Sequence, residues 1–360
     1  MKNTEPEYLQ YLFAKAKKNN IPLSGTFEIT GRCNFNCRMC YIHDSDNAKL
    51  KEKELSTEQW MHIADEAQKA GTLMLLITGG EPLLRDDFAE IYTYCKKLGF
   101  EINVNTNASL INDNIIKLFK KYTPARISVT LYGANEETYR NTTCREGYYE
   151  KVTENIRKLK AAGLQVKMNL TASNYNSSDI PQIFKFAEEN NMPVESACYL
   201  FPAARLGKNT DRPSACDAAK NELLCERLKN TPERFAQKVE AIRNIVETDR
   251  EIGSVGELIK CRAGTAAYWI TYEGNMLPCG MMEKPCASVI DYGFEKAWKL
   301  INEETYKIFL PPECAGCVYS NLCTSCAASC YAETGRFDGV PEYICKKTKE
   351  FVRLIREDNE

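Results

Sequence analysis

With 360 residues, 44% of them apolar, the chain is long enough for two domains and a sizeable core. Its 47 basic and 49 acidic side chains are nearly balanced and leave no field for nucleic acid or an anionic membrane. No apolar run approaches the roughly 18 residues of a membrane span and no basic-then-apolar segment opens the chain, so the expected compartment is a reducing cytoplasm. There the seventeen cysteines serve as ligands or catalysts rather than as disulfides.

Residues 1–25 form a lead-in segment, with Tyr8, Leu9, Tyr11 and Leu12 marking an amphipathic helix. From Thr26 onward strand and helix alternate. Short apolar or β-branched runs at Thr26–Thr30, Thr72–Thr78, Glu101–Thr106, Arg126–Leu131, Gln165–Thr171 and Val194–Tyr199 read as strands. Helices fit between them: one from a Ser56/Gln59 capping box to Gly71, then Asp86–Leu98, Asn112–Tyr122, Tyr148–Ala162 and Asp179–Asn190. Six such units predict an α/β fold, a partial (β/α)6 TIM-like barrel over residues 26–231, whose chemistry sits at the C-terminal ends of the strands.

Directly after the first strand comes Cys33-Asn34-Phe35-Asn36-Cys37-Arg38-Met39-Cys40. A C-x3-C-x2-C run supplies three thiolates, and a cubane cluster, usually held by four cysteines, then keeps one iron free for substrate or cofactor. Zinc is the alternative reading, with His43 alone nearby to help close a tetrahedron. After the second strand, Thr78-Gly79-Gly80-Glu81-Pro82 forms a turn in which two glycines let backbone approach a ligand closely. An ordinary β-to-α turn is the bland reading of it.

Together these residues resemble the radical S-adenosylmethionine (radical SAM) enzymes: Cys33, Cys37 and Cys40, the aromatic Tyr41 behind them, and the turn from Gly79 to Pro82. The resemblance implies a 4Fe-4S cluster on the trio, with S-adenosylmethionine on its fourth iron. It also implies cofactor contacts from Tyr41, Gly79, Gly80, Glu81 and Pro82. Thr130, in Val129-Thr130-Leu131-Tyr132-Gly133, resembles a cofactor-facing strand residue, Asn107 the polar end of the strand before it, and Arg145 part of an Arg-Gly loop that Glu146 interrupts here. Cys144, beside Arg145, is a candidate hydrogen-atom donor, whereas Cys95 sits among Ile91, Tyr92 and Leu98 as packing.

Residues 201–231 read as a connector and a helix. Residues 232–260 form a bridging helical segment in which Phe235, Val239, Ile242 and Val246 recur at core spacing. Residues 261–360 resemble the SPASM extension of the same family: Cys261, the G-x4-C of Gly274 to Cys279, the C-x2-C-x5-C of Cys314, Cys317 and Cys323, then Cys326, Cys330 and Cys345. A helix over Val289–Trp298 is expected between the two cysteine groups. The resemblance implies two auxiliary 4Fe-4S clusters, one on Cys314, Cys317, Cys323 and Cys345 and one on Cys261, Cys279 and Cys326. The fourth ligand of the latter is open between Cys330, Cys286 and a substrate.

The function these features imply is an anaerobic radical SAM oxidoreductase or maturase that modifies a peptide or protein side chain and draws electrons from a flavodoxin- or ferredoxin-type donor. Gly280 stands after Cys279 where family members that oxidise a sulfatase side chain carry aspartate, so that subclass is disfavoured. The enzymatic alternative is a small-molecule substrate such as a tetrapyrrole or redox-cofactor precursor. The non-enzyme alternative is a multi-cluster electron carrier, which needs neither the glycine turn nor an open iron.

Overall fold

The computed structural model describes residues 6–42, 46–203, 211–246, 252 and 255–357; His43 and positions 204–210 of the expected connector lie outside them. Six parallel strands, β1 (Ser24–Glu28), β2 (Met74–Thr78), β3 (Glu101–Thr106), β4 (Arg126–Thr130), β5 (Val166–Thr171) and β6 (Val194–Ala197), pair in sequence order. They carry the α/β alternation expected of the partial barrel. Alternate residues of β1 to β5 enter one core, with Phe27, Ile77, Val104, Val129 and Met168 buried against Trp60, Ile63, Tyr92 and Phe119 of the helices. The helix Thr57–Lys69 starts on the expected capping box: Ser56 Oγ accepts from the Gln59 amide at 3.2 Å while Gln59 Oε1 accepts from the Ser56 amide at 2.8 Å.

The sheet does not stop at six strands. β7 (Ala267–Ile270) pairs parallel with β1, placing Tyr268 beside Gly25, and antiparallel β8 (Asn275–Leu277) and β9 (Ala287–Ser288) follow. The order is β6-β5-β4-β3-β2-β1-β7-β8-β9, so hydrogen bonding runs unbroken across residue 261. Gly25 permits this junction, because a Cβ there would lie 2.3 Å from the Tyr268 hydroxyl.

Several local expectations change. The helix Val289–Trp298 is two helices, Val289–Tyr292 and Phe294–Thr305, broken at Gly293, whose φ of 74° leaves the helical region. In the lead-in helix Glu7–Lys18 the buried side chains are Phe13 and Ala16; Tyr8 and Tyr11 face solvent. The helix Pro232–Arg243 buries Ile242 alone, and Val246, beyond its end, is exposed. A helix Glu136–Thr143, capped by Asn135, appears where no apolar periodicity announced one.

Candidate active site

The C-terminal ends of β2 to β6 surround a cavity of about 370 Å³. Cys33, Cys37, Cys40 and Tyr41 line one side of it. Thr78, Gly79, Gly80, Thr106, Asn107, Thr130 and Asn169 form a polar floor, and Tyr199, Leu200, Phe201 and Met281 an apolar wall. Sequence reasoning named Tyr41, Gly79, Gly80, Asn107 and Thr130 for this place but missed Asn169, Thr171 and the wall. The position of Asn169 and Thr171 at the end of β5 was the available signal, since in parallel barrels that end faces the mouth.

The cysteine loop is tied down at many points. The Asn36 and Arg38 amides each donate at 3.0 Å to the carbonyls of Thr143 and Thr142, at the end of helix Glu136–Thr143. Asn47 accepts from the Cys33 amide at 3.2 Å and donates to the Cys33 carbonyl at 2.9 Å. Asn107 Nδ2 donates to Asn34 Oδ1 at 3.0 Å and points at Cys33 Sγ, 3.9 Å away. Phe35, 1% exposed, inserts edge-to-face among Tyr132, Tyr139 and Tyr148.

Arg145 supports the loop rather than the cavity: its Nε donates to the Asn34 carbonyl at 2.9 Å, and it is not among the residues lining the cavity. Cys144 caps helix Glu136–Thr143 with a left-handed φ of 55° and lies close to Cys37, also outside the cavity lining. These placements give Arg145 and Cys144 positions behind the cysteine loop.

The glycine turn is stitched to the same loop. The Gly80 amide donates to the Thr30 carbonyl at 2.9 Å and the Glu81 amide to the Arg32 carbonyl at 2.8 Å. A Cβ on Gly79 would meet Thr30 O at 2.5 Å and one on Gly80 would meet Arg32 O at 2.4 Å, so both glycines serve a close approach of two chain segments. Glu81 turns away from the opening, fully buried, and accepts from Thr106 Oγ1 at 2.8 Å and from the Asn107 and Leu83 amides at 2.7 and 3.1 Å. Burial pushes its carboxyl up to about 7 against the pull of these three donors. Pro82 opens the 3₁₀ turn Pro82–Leu84 behind it.

Beneath the turn a buried charge network holds the end of β1. Arg32 pairs with Glu54 at 2.8 Å, Arg85 lies 3.7 Å from Glu54 and 2.6 Å from Asp87, and Arg85 Nη1 also donates to the Ile29 and Leu55 carbonyls. Each charge has a partner, which a buried charge requires.

The trio suits the cluster that the resemblance implied. Its thiols converge on one side of the cavity, held by backbone bonds that need no metal. Burial pushes Cys33 up to about 12, with the Glu81 charge adding to it, and raises Cys37 well above the ordinary thiol range. Buried thiols so far from ionisation suit a bound cation that neutralises them as thiolates.

The later cysteines fall into separate places. Cys314, Cys317, Cys323 and Cys345 line a second cavity of about 150 Å³. Cys261 is near Cys326, and Cys279 and Cys326 pack with Phe201 and Met281, one side-chain layer from the main cavity. Cys330 is buried, its Sγ 3.5 Å from Ser325 Oγ, and it lies near Cys326, Cys323 and Cys345, between the two groups. Cys286 is exposed and lines a different cavity with Glu28 and Glu283. Among the described residues no three His, Cys, Asp or Glu side chains stand at the spacing of a single bound ion, and no helix is long and apolar enough to cross a membrane.

Comparison with known proteins agrees with this geometry. Residues 27–187 match the Radical SAM superfamily. An AdoMet-dependent heme synthase of Methanosarcina barkeri is 28% identical over 335 residues, 88% of this chain and 95% of that protein. The sporulation killing factor maturation protein SkfB of Bacillus subtilis is 22% identical over 75% of this chain and 63% of its own length. Among solved structures, native anSMEcpe with bound AdoMet superposes with a TM-score of 0.70 at 15% identity, covering 92% of this chain and 96% of that one, so the shared fold extends well past residue 187. Residues 27–187 thus carry a Radical SAM superfamily domain, the domain of enzymes built on a 4Fe-4S cluster and S-adenosylmethionine.

Proposed function

We propose that this radical SAM enzyme acts on a small molecule of the tetrapyrrole class. The observation that carries the reading is the near end-to-end similarity to an AdoMet-dependent heme synthase, covering 95% of that protein. The cavity supports it: the described lining has no charged side chain and one wall of aromatic and thioether groups, a surface suited to a flat conjugated ring. This reverses the order of the sequence-based expectations, which put a peptide substrate first. Peptide modification stays as the second reading on the similarity to SkfB, which covers less of either chain.

In this reading Cys33, Cys37 and Cys40 hold the cluster. The polar floor from Gly79, Gly80, Asn107 and Thr130 holds S-adenosylmethionine, with Tyr41 beside it and Glu81 and Pro82 fixing the turn from behind. When bound and reduced, the pair supplies a 5′-deoxyadenosyl radical for hydrogen abstraction. The protein's task is then to place one carbon of the substrate at the floor and keep water and quenching groups away. Cys314, Cys317, Cys323 and Cys345 form the ligand set of one auxiliary cluster and Cys261, Cys279 and Cys326 that of a second. Both offer an exit for an electron leaving an oxidised substrate, and a flavodoxin- or ferredoxin-type protein in the cytoplasm supplies the reducing electron.

The test is anaerobic turnover of the reconstituted protein with dithionite, S-adenosylmethionine and either an iron coproporphyrin or a cysteine-rich peptide. Consumption of the porphyrin in step with 5′-deoxyadenosine release supports the proposal. A mass change in the peptide with no change in the porphyrin would overturn it.

A further inference from the structure

The apolar wall of the cavity is made by a stretch with no regular secondary structure, and it is fastened from outside. Tyr199 and Phe201, just beyond β6, meet edge-to-face at 4.9 Å. The Tyr199 hydroxyl donates to Glu333 Oε1 at 2.9 Å. Arg212 grips the same carboxylate with both arms, Nη1 to Oε1 at 2.5 Å and Nη2 to Oε2 at 2.9 Å, and its Nη1 also donates to the Leu200 carbonyl at 3.3 Å. The Arg212 guanidinium lies 4.1 Å from the centre of the Tyr343 ring. Glu333 belongs to helix Ala327–Thr334, whose N-cap is Cys326, while Tyr343 stands two residues before Cys345.

An ion pair drawn this far out of water adds little net stability, since desolvation offsets most of the attraction. A loop that merely connected β6 to the next helix would gain little from five such restraints. What they do provide is a fixed orientation for two aromatic rings that face the cavity, and rigid rings bind a flat partner with little loss of side-chain freedom. The same wall contains Met281, whose thioether makes a favourable contact with an aromatic face.

We propose that Tyr199 and Phe201 form a platform for the face of a conjugated macrocycle, and that Glu333 and Arg212 are positioning residues that hold it toward the cofactor floor. The proposal rests on the tetrapyrrole reading and adds to it the residues that select the ring. With no charged group in the described lining, the carboxylates of such a substrate stay at the open mouth, in water. An extended peptide has no flat face of this size and gains nothing from the platform.

The experiment is a fluorescence titration of metal-free coproporphyrin III with the full reconstituted chain, alongside iron content per chain and product formed per 5′-deoxyadenosine. Tyr199→Leu is expected to weaken porphyrin binding by about tenfold, the loss of one aromatic face. Glu333→Gln is expected to weaken it by a few fold and to lower product per 5′-deoxyadenosine, both at wild-type iron content. Tyr199→Phe keeps the ring without its anchor and is expected to fall between wild type and Tyr199→Leu. Wild-type affinity in Tyr199→Leu overturns the platform and leaves the tetrapyrrole reading standing, whereas failure of the wild-type chain to bind the porphyrin overturns both. Loss of iron in Glu333→Gln together with wild-type behaviour in Tyr199→Phe overturns the positioning role and makes the bridge a structural brace.

Discussion

The two cysteine-rich regions are secured by opposite means. The trio after β1 is held by long-range bonds, to Thr142 and Thr143, Asn47, Asn107 and Arg145, all anchored on the barrel. The stretch that carries Cys314, Cys317 and Cys323 is held mainly by turns within itself: Cys314 N to Pro311 O, Cys317 N to Cys314 O, Cys323 N to Tyr319 O. Beneath the trio lies the large barrel core, whereas the C-terminal cysteines rest on small apolar clusters around Ile259 and Phe351. Short turns over a small core scarcely offset the entropy of ordering the chain. The barrel therefore presents its cysteine trio on a preformed scaffold, while a cluster bound by the C-terminal cysteines, as proposed above, would supply folding energy to that region.

The largest effect expected from this contrast is that of a Cys33→Ala, Cys37→Ala, Cys40→Ala triple variant, which should release no 5′-deoxyadenosine above background yet keep the iron bound by the C-terminal cysteines. A matching loss of that iron would show the two regions to be one unit. Next, Cys317→Ala with Cys323→Ala should remove about four irons per chain, one cubane. It should also open the chain after Pro311 to limited proteolysis while residues 24–197 stay protected. Uniform protection would break the contrast.

Within the barrel, Glu54→Ala leaves the Arg32 and Arg85 guanidinium groups without their shared carboxylate and should cost about 3–5 kcal/mol, read as a lower denaturant midpoint. Glu81 gives a pH signature. Its carboxyl rises to about 7 on folding from an ordinary value of 4.5, so between those pH values the folded chain keeps a proton that the unfolded chain has lost. Stability of the cluster-free protein should therefore fall by up to about 3 kcal/mol as pH climbs through that window. Glu81→Gln should flatten the slope; an unchanged slope would reassign it to another group. The smallest effect belongs to the exposed Arg336–Asp338 pair of the C-terminal region, where Asp338→Asn should leave the denaturant midpoint unchanged within measurement error.

How legible was all this beforehand? The six β/α units were readable because strand runs and capped amphipathic helices alternate at regular spacing, as Ser56 with Gln59 shows. β7 was not, because Ala267–Ile270 is four residues long and owes its place to pairing with β1, more than two hundred residues away. Helix Glu136–Thr143 escaped because it is polar nearly throughout and is secured by its Asn135 cap and by bonds to the cysteine loop. Strand-end residues such as Asn107 and Thr130 were placed at the mouth by the family resemblance, not by period or register. Arg145 could not be placed, since whether a loop arginine reaches a ligand or a carbonyl depends on the path of the neighbouring chain. Tyr199 lacked any local signal, because its hydroxyl is bound by Glu333, more than a hundred residues away.

The seventh strand has a practical consequence for anyone dividing the molecule. A cut at residue 260 would strip β7 from β1, baring the amides and carbonyls of Ser24–Phe27 along an edge that is covered in the whole chain. Such a fragment is expected to self-associate through that edge rather than survive as an isolated catalytic piece. The C-terminal region is thus no detachable cassette, and exchanging it between relatives will succeed only where the graft carries its own β1 partner.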